Sequence, residues 1–264
     1  MTSFSRQTSL LLEVIDNNKE KIIEFLSKKE IIGRNPYGDF SRFFDRAIEE
    51  LLVNELRARG YKGTIVGEEL GINIGKSEEY IYIDPLDGSL NVARGIKYYC
   101  VAIAYGDGES IDDIKSAVVW DIPNNIFYIA ESGKGSYRLN NEILERISPM
   151  RDYDVVLIDV GFTTCERCLK EIVDMGTFRR LGSIIISSIR VAEGVFEGVF
   201  DMGKLKATDV AAPYLIIKEA GGYVFVEPKR ISGNPNVKLI AAKNEEIFSK
   251  LMEIYKQYVA PTCR

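Results

Sequence analysis

The sequence predicts an α/β protein built from layered helices and sheets. Three observations carry that expectation. Amphipathic helical spacing dominates up to Gly60, apolar strand-like runs follow one another from 64 to 131, and strands and helices alternate after Met150. In the first part Leu11, Leu12, Ile15, Ile22, Ile23 and Leu26 recur at roughly helical spacing, and a second amphipathic helix is predicted over 41–59, with Gly60 placed to end it. Strands are predicted at TIV (64–66), YIYID (80–84), YYCVAIAYG (98–106), SAVVWDI (116–122) and NIFYIAE (125–131). The turn Pro123-Asn124-Asn125 joins the last two as a hairpin. Beyond Met150 the order reads strand DVVLIDV, helix CERCLKEIVDM, strand FRRL, helix SIIISSIRVAE, strand VFEGVF, helix DVAAPYLIIKEA, strands YVFVE and KLIAA, and a closing helix over 244–259. No low-complexity linker or internal repeat divides the chain. One domain over 1–264 is expected, with sub-halves of about 1–145, carrying a metal site and the larger sheet, and 146–264, on the substrate side.

Composition narrows the chemistry. A chain of 264 residues with 46% hydrophobic content can bury a substantial core. The opening MTSFSRQTSLLLEVIDNN breaks its apolar run too early for a signal peptide or membrane span, so a cytoplasmic protein with no membrane partner is expected. A formal charge of -5, with basic residues scattered among acids, gives no footprint for nucleic acid. There is no histidine, which excludes imidazole-based triads and the usual zinc hydrolase sites. A hydrolase made from this chain has to rely on carboxylates and hard metals. Of the four cysteines only Cys165 and Cys168 have CxxC spacing, and Cys100 and Cys263 are the only other thiols that could complete a zinc site. The plain reading is two free thiols at the start of a helix over 166–175; a redox pair or disulfide is the alternative. Cys100, within an apolar run, is expected to be a buried strand residue.

The run Gly71-Ile72-Asn73-Ile74-Gly75-Lys76-Ser77 imitates a phosphate-binding P-loop, but it places three residues between its glycines where that loop needs four, and it reads as a surface loop. The informative segment is Ile83-Asp84-Pro85-Leu86-Asp87-Gly88-Ser89-Leu90-Asn91. A strand ending in an acid, a proline that fixes φ and a glycine that permits close approach would aim Asp84 and Asp87 at one point, with the Leu86 carbonyl facing it. A turn or helix starting near Gly88 would offer free N–H groups and the Ser89 hydroxyl to phosphate oxygens. Such pairs also form ordinary turns. Glu68 and Glu69 after TIVG, Asp45 in the preceding helix and Asp209 after Thr208 are each unremarkable alone, and their combination carries the information.

The set GEE (67–69), IDPLDGSLN (83–91) and TDVAAPYLIIKEAGG (208–222) resembles the inositol monophosphatase family of Mg²⁺-dependent phosphatases, whose signatures read approximately GEE, DPxDGTxNF and WDxAAGxxLIxEAGG. The likeness spans about 39–222, and FRRLGSIIISSIRVAEGVFEGVF resembles the family's connecting helix and strand. The resemblance implies the layered αβαβα sugar-phosphatase fold, phosphomonoesterase activity and a homodimer. It also implies roughly two or three Mg²⁺ ions per site, with Mn²⁺ as a substitute. Glu68, Asp84, the Leu86 carbonyl and Ser89 match ligands around one metal and its water; Asp84, Asp87 and Asp209 match those of a second. Asp45 matches the acid that orients the attacking water, with Ser89 in place of the family's threonine. Val92, Thr208 and Pro213 stand where an aromatic, a tryptophan and a glycine are usual. None is a metal ligand, and Pro213, lacking a backbone donor, is expected to delay the start of its helix.

A phosphate dianion repels an anionic nucleophile, so its hydrolysis calls for cations that neutralise charge and acidify water, and Mg²⁺ prefers the oxygen ligands this set offers. GVFDMGKLKATDVAA resembles archaeal members that accept both inositol phosphates and fructose 1,6-bisphosphate, so a small phosphorylated sugar or polyol is the expected substrate. Asp87, Gly88 and Ser89 would meet the reacting phosphate. Arg179, Arg180, Ser183, Asp201 and Lys204 are candidates for hydroxyl or second-phosphate contacts, beside the reading that they are surface charge. The alternatives are a 3′-phosphoadenosine 5′-phosphate phosphatase of the same superfamily and a catalytically silent scaffold.

Overall fold

A computed structural model describes residues 4–151 and 153–260. Cys263 and the first three residues of the opening segment lie outside the described residues. Helices α1 (Arg6–Asp16) and α2 (Lys19–Phe25) open the chain, followed by a small antiparallel hairpin of β1 (Ile31–Arg34) and β2 (Phe40–Arg42) and by helix α3 (Phe43–Ala58). An eight-stranded sheet then forms from β3 (Gly63–Gly67), β4 (Ile72–Asn73), β5 (Ser77–Asp87), β6 (Cys100–Gly106), β7 (Ile114–Asp121), β8 (Ile126–Glu131), β9 (Gly135–Asn140) and β10 (Ile143–Arg146). A six-residue helix, α4 (Ser89–Arg94), interrupts it between β5 and β6. The strand order is β10-β9-β8-β7-β6-β5-β3-β4. The second sheet has five strands: β11 (Leu157–Val160), β12 (Thr177–Arg179), β13 (Gly198–Lys206), β14 (Tyr223–Glu227) and β15 (Asn236–Ala242), in the order β12-β11-β13-β15-β14. Its helices are α5 (Glu166–Met175), α6 (Ile184–Ala192), α7 (Ala207–Ala220) and α8 (Glu245–Tyr258).

Side-chain alternation sorts these elements into five layers. Along β6, Val101 and Ile103 join Leu11, Ile15, Ile48 and Leu52 of α1 and α3 in one core. The intervening Cys100, Ala102 and Ala104 face a second core with α6 and α7. Large residues on one face and small ones on the other let the central helices approach the sheet closely. On the second sheet Val199, Leu239 and Ala241 meet α6 and α7, while Phe200 and Ile240 meet Ile172 of α5 and Leu251 of α8. Helix α7, apolar on every side from 210 to 217, is accordingly buried there between the sheets. The result is the αβαβα stack the sequence predicts. Among the described residues no helix is long and apolar enough to cross a membrane.

Three expectations are corrected. The P-loop imitation is not wholly loop: Ile72–Asn73 pair with Val66 and Ile65 as the short edge strand β4, and Ser77 opens β5. Pro213 does not delay α7, which begins at Ala207 because the Asp209 carboxylate accepts the Lys206 N–H (2.6 Å) and caps the helix ahead of the proline. Cys165 and Cys168 are joined by a disulfide rather than being free thiols, since the first turn of α5 brings their Cα atoms to 5.2 Å. Cys100 is buried, as expected.

Candidate metal and phosphate site

The acids converge at the carboxyl ends of β3 and β5 and the amino end of α7. Strand β3 delivers Glu68 just past Gly67, and the loop there is fixed from below by Glu49 of α3, whose carboxylate accepts the N–H groups of Glu69 (2.7 Å) and Leu70 (2.9 Å). A Cβ on Gly67 would sit 1.8 Å from Glu49 Oε1, so only glycine fits above that carboxylate. Glu69 turns away and accepts the Ser41 hydroxyl. In β5 the pairing with β6 slips between Asp84, opposite Ala102, and Asp87, opposite Cys100. Residues three apart face opposite sides of a regular strand; this bulge lets both acids address the same corner. The Leu86 N–H closes a turn onto Asp84 Oδ1 (3.0 Å). Gly88 follows at φ 95°, and a Cβ there would come 2.8 Å from the Tyr98 carbonyl oxygen. Gly88 therefore lets the chain turn sharply from strand into α4, as the sequence reading requires.

Glu68, Asp84 and Asp209 each bring a carboxylate oxygen within 4.8 Å of the others. Asp87 lines the same cavity, with Oδ2 engaged by the Ser183 hydroxyl (2.6 Å) and the Ile185 N–H at the start of α6 (2.7 Å). Among the described residues no lysine or arginine pairs with any of these four acids. Burial, followed by mutual repulsion, pushes the Glu68 and Asp84 carboxyls well above the ordinary range. Asp209 is raised to about 7, chiefly by burial, and Asp87 to about 6 by burial against the opposing pull of Ser183 and the α6 N–H groups. An all-oxygen donor set without a basic partner, with Asp84 buried and Glu68, Asp87 and Asp209 half-buried, fits a hard divalent cation such as Mg²⁺.

Ser89 Oγ lies 2.5 Å from Asp45 Oδ1 and 2.8 Å from the Leu86 carbonyl oxygen. One hydroxyl proton cannot serve both acceptors. Burial raises Asp45 to about 7, which suits its carboxylate to accept a proton near neutral pH. Asp45 thus sits behind Ser89, one hydrogen bond removed from the cavity.

The cavity, about 500 Å³, is lined by Glu68, Asp84, Asp87 and Asp209 together with Arg180, Ser183, Asp201 and Lys204. Asp201 serves mainly as a brace: its carboxylate accepts the N–H groups of Phe162 (2.6 Å) and Gly203 (3.0 Å). Lys204 Nζ lies 4.5 Å from the Phe162 ring centroid. Arg179, expected beside Arg180, is not in the cavity; it donates to the Phe178 carbonyl and lines a separate hollow with Tyr153 and Leu157. Neighbouring residues of extended chain point to opposite sides, so Arg179 and Arg180 cannot both enter. Two acids escaped the sequence reading. Asp159 lines the cavity and accepts the Ser187 hydroxyl and the Leu181 N–H. It stands one residue before the end of the apolar strand LIDV, much as Asp84 closes YIYID, which is the signal that could have found it. Glu49, one turn after Asp45 on α3, carries no signal in the sequence that separates it from the surface acids of that helix.

A profile of the inositol monophosphatase family matches residues 13–260. The fructose-1,6-bisphosphatase/inositol-1-monophosphatase of Thermococcus kodakarensis is 31% identical over 258 residues, covering 94% of this chain and 97% of that protein. The Nus factor SuhB of Xylella fastidiosa is 34% identical over 196 residues, 70% of this chain and 68% of that one. Among solved structures, an inositol monophosphatase-fructose 1,6 bisphosphatase superposes with a TM-score of 0.81 at 23% identity, over 95% of this chain and 100% of the other, a likeness of fold.

Proposed function

Because the chain belongs to the inositol monophosphatase family of phosphomonoester hydrolases, we propose that it hydrolyses inositol 1-phosphate, fructose 1,6-bisphosphate or both, with Mg²⁺ as cofactor and Mn²⁺ as a substitute. The observation that carries this reading is the meeting of Glu68, Asp84 and Asp209 within 4.8 Å in a cavity that Arg180 and Lys204 also line.

In this reading Glu68, Asp84, Asp87, Asp209 and the Leu86 carbonyl hold the metal. Bound there, Mg²⁺ would neutralise phosphate charge and lower the pKa of a water. The chain's own residues do the rest. Ser89 Oγ accepts a proton from water as its hydroxyl proton passes to Asp45 Oδ1, 2.5 Å away. Gly88 and Ser89 present backbone N–H groups to the phosphate at the turn into α4. Ser183 orients Asp87, and Asp201 holds the backbone against which the sugar lies. Lys204 and Arg180 supply positive charge for a distant phosphate or for ring hydroxyls. We further propose a cytoplasmic homodimer and a chain of two sub-halves, about 1–145 and 146–264, meeting at this cavity.

Phosphate release from the two substrates side by side, with 3′-phosphoadenosine 5′-phosphate as a third, tests the proposal. Turnover of the first two that vanishes with EDTA supports it. Preference for the nucleotide would favour the related nucleotide phosphatase, and silence towards all three with Mg²⁺ present would mark a scaffold.

A further inference from the structure

We propose that Cys165 and Cys168 form a dithiol–disulfide exchange site, taking a dithiol as reductant, whose oxidation state sets the packing of the cavity wall at Gly161 and Phe162. The pair stands at the junction of β11 and α5, in a strand–helix–strand unit whose outer strands β11 and β12 run parallel. The bond spans a sequence separation of only 3, and disulfides closing the shortest loops restrict the unfolded chain least. The bridged segment is already held as a helical turn by the Leu169 N–H on the Cys165 carbonyl (3.1 Å). Helix α5 is packed independently through Cys168 and Ile172 against Leu251 and Ile254 of α8. The fold therefore has little need of this bond.

Access to the two sulfurs is unequal. Cys168 is fully buried, whereas Cys165 is half-buried between exposed Thr164 and Glu166. An incoming thiolate reaches Cys165 Sγ; the S–S bond breaks and its electron pair passes to Cys168 Sγ, which takes up a proton. The second thiolate of the reductant then attacks its own sulfur in the mixed disulfide, and Cys165 leaves as a thiolate. The dithiol is oxidised to a disulfide and the protein pair is reduced by two electrons. The Cys168 N–H, 3.1 Å from Cys165 Sγ, and the amino end of a ten-residue helix stabilise that leaving thiolate.

Two residues, Thr163 and Thr164, separate Cys165 from Phe162 of the cavity wall. The Cys165 N–H donates to Thr163 Oγ1 (3.0 Å), the Met202 N–H to the Phe162 carbonyl (2.8 Å) and the Phe162 N–H to Asp201 (2.6 Å). Opening the disulfide removes the tether on the outer end of this chain of bonds.

The test uses the whole native protein and readouts independent of turnover. Dithiothreitol followed by iodoacetamide, with peptide mapping, should label half-buried Cys165 without denaturant while sparing the buried Cys100 and Cys168. The melting temperature should fall by less than about 8 °C. Amide exchange at 162–165 should rise by at least roughly tenfold. Cys165→Ser should show the reduced protein's exchange rates with or without dithiothreitol. Labelling only after unfolding, a collapse of the melting temperature on reduction, or reduction with unchanged exchange at 162–165 would each overturn the proposal.

Discussion

At the scale of single residues, the candidate site is a place where stability has been given up for charge. Asp87 illustrates the trade: it is half-buried beside other carboxylates, and its pKa is raised to about 6. Asp87→Asn should lower Mg²⁺-dependent phosphate release by about 100-fold or more, equivalent to ~3 kcal/mol of barrier. In EDTA the same variant should melt at an equal or higher temperature, because one repelling charge is gone while an amide oxygen remains to accept the α6 N–H. A lower melting temperature in EDTA would show Asp87 to be a structural anchor first. Glu49 has the opposite character. It touches no cavity but takes two backbone N–H groups of the Glu68 loop, so Glu49→Ala should cost about 2–4 kcal/mol in urea unfolding, and Glu49→Gln, which keeps an acceptor, clearly less. Asp84, Asp87 and Asp209 were legible because the first two lie in a motif at the turn from β5 into α4 and the third in a motif that opens α7. Glu49 was not, since an acid inside an amphipathic helix looks like one more surface residue until the partner loop is placed above it.

Among the elements, the sharpest requirement is the turn from β5 into α4. Gly88→Ala would place a Cβ 2.8 Å from the Tyr98 carbonyl oxygen at φ 95°, and a loss of about 1–3 kcal/mol is expected, read as a shift of the urea midpoint at unchanged slope. Helix α1 is tied to the sheet by Glu131 of β8, which accepts the Ser5 N–H (2.7 Å) and the Thr8 hydroxyl (2.7 Å). Burial alone would raise the Glu131 pKa, but Lys134, Ser5 and Thr8 together outweigh it and hold the carboxyl below its ordinary value. A depressed folded-state pKa means that the contribution is present above the unfolded value and is lost as pH falls through the folded one. Glu131→Gln should accordingly lower stability at pH 7 by about 1–3 kcal/mol, with the gap to wild type closing below roughly pH 4 in urea melts. A gap that stayed constant with pH would show that charge plays no part. The long strands and helices were legible from period and apolar content. The hairpin of β1 and β2 and the strands β9 and β10 were not: β1 and β10 are exposed along their whole length and carry no burial pattern to read.

For the whole molecule, the central expectation is that divalent metal and fold support each other. Metal bound only by the native state adds about 2.7 kcal/mol at a hundredfold excess over its dissociation constant, so Mg²⁺ should raise the melting temperature in a concentration-dependent way and EDTA should reverse it. An unchanged melting curve up to millimolar Mg²⁺ would contradict the metal site. The sequence by itself determined the layered α/β class, the reliance on oxygen ligands in a chain without histidine, and the family, because periodicity, composition and motif order are properties of the chain alone. Only the tertiary structure decided that Arg180 enters the cavity while Arg179 faces away, and that Asp159 joins the site. The same holds for Glu49 beneath the Glu68 loop and for the bond between Cys165 and Cys168. Each depends on the direction a side chain takes from its backbone and on which distant segment is packed against it, and a linear order of residues fixes neither until the sheets and helices have closed on one another.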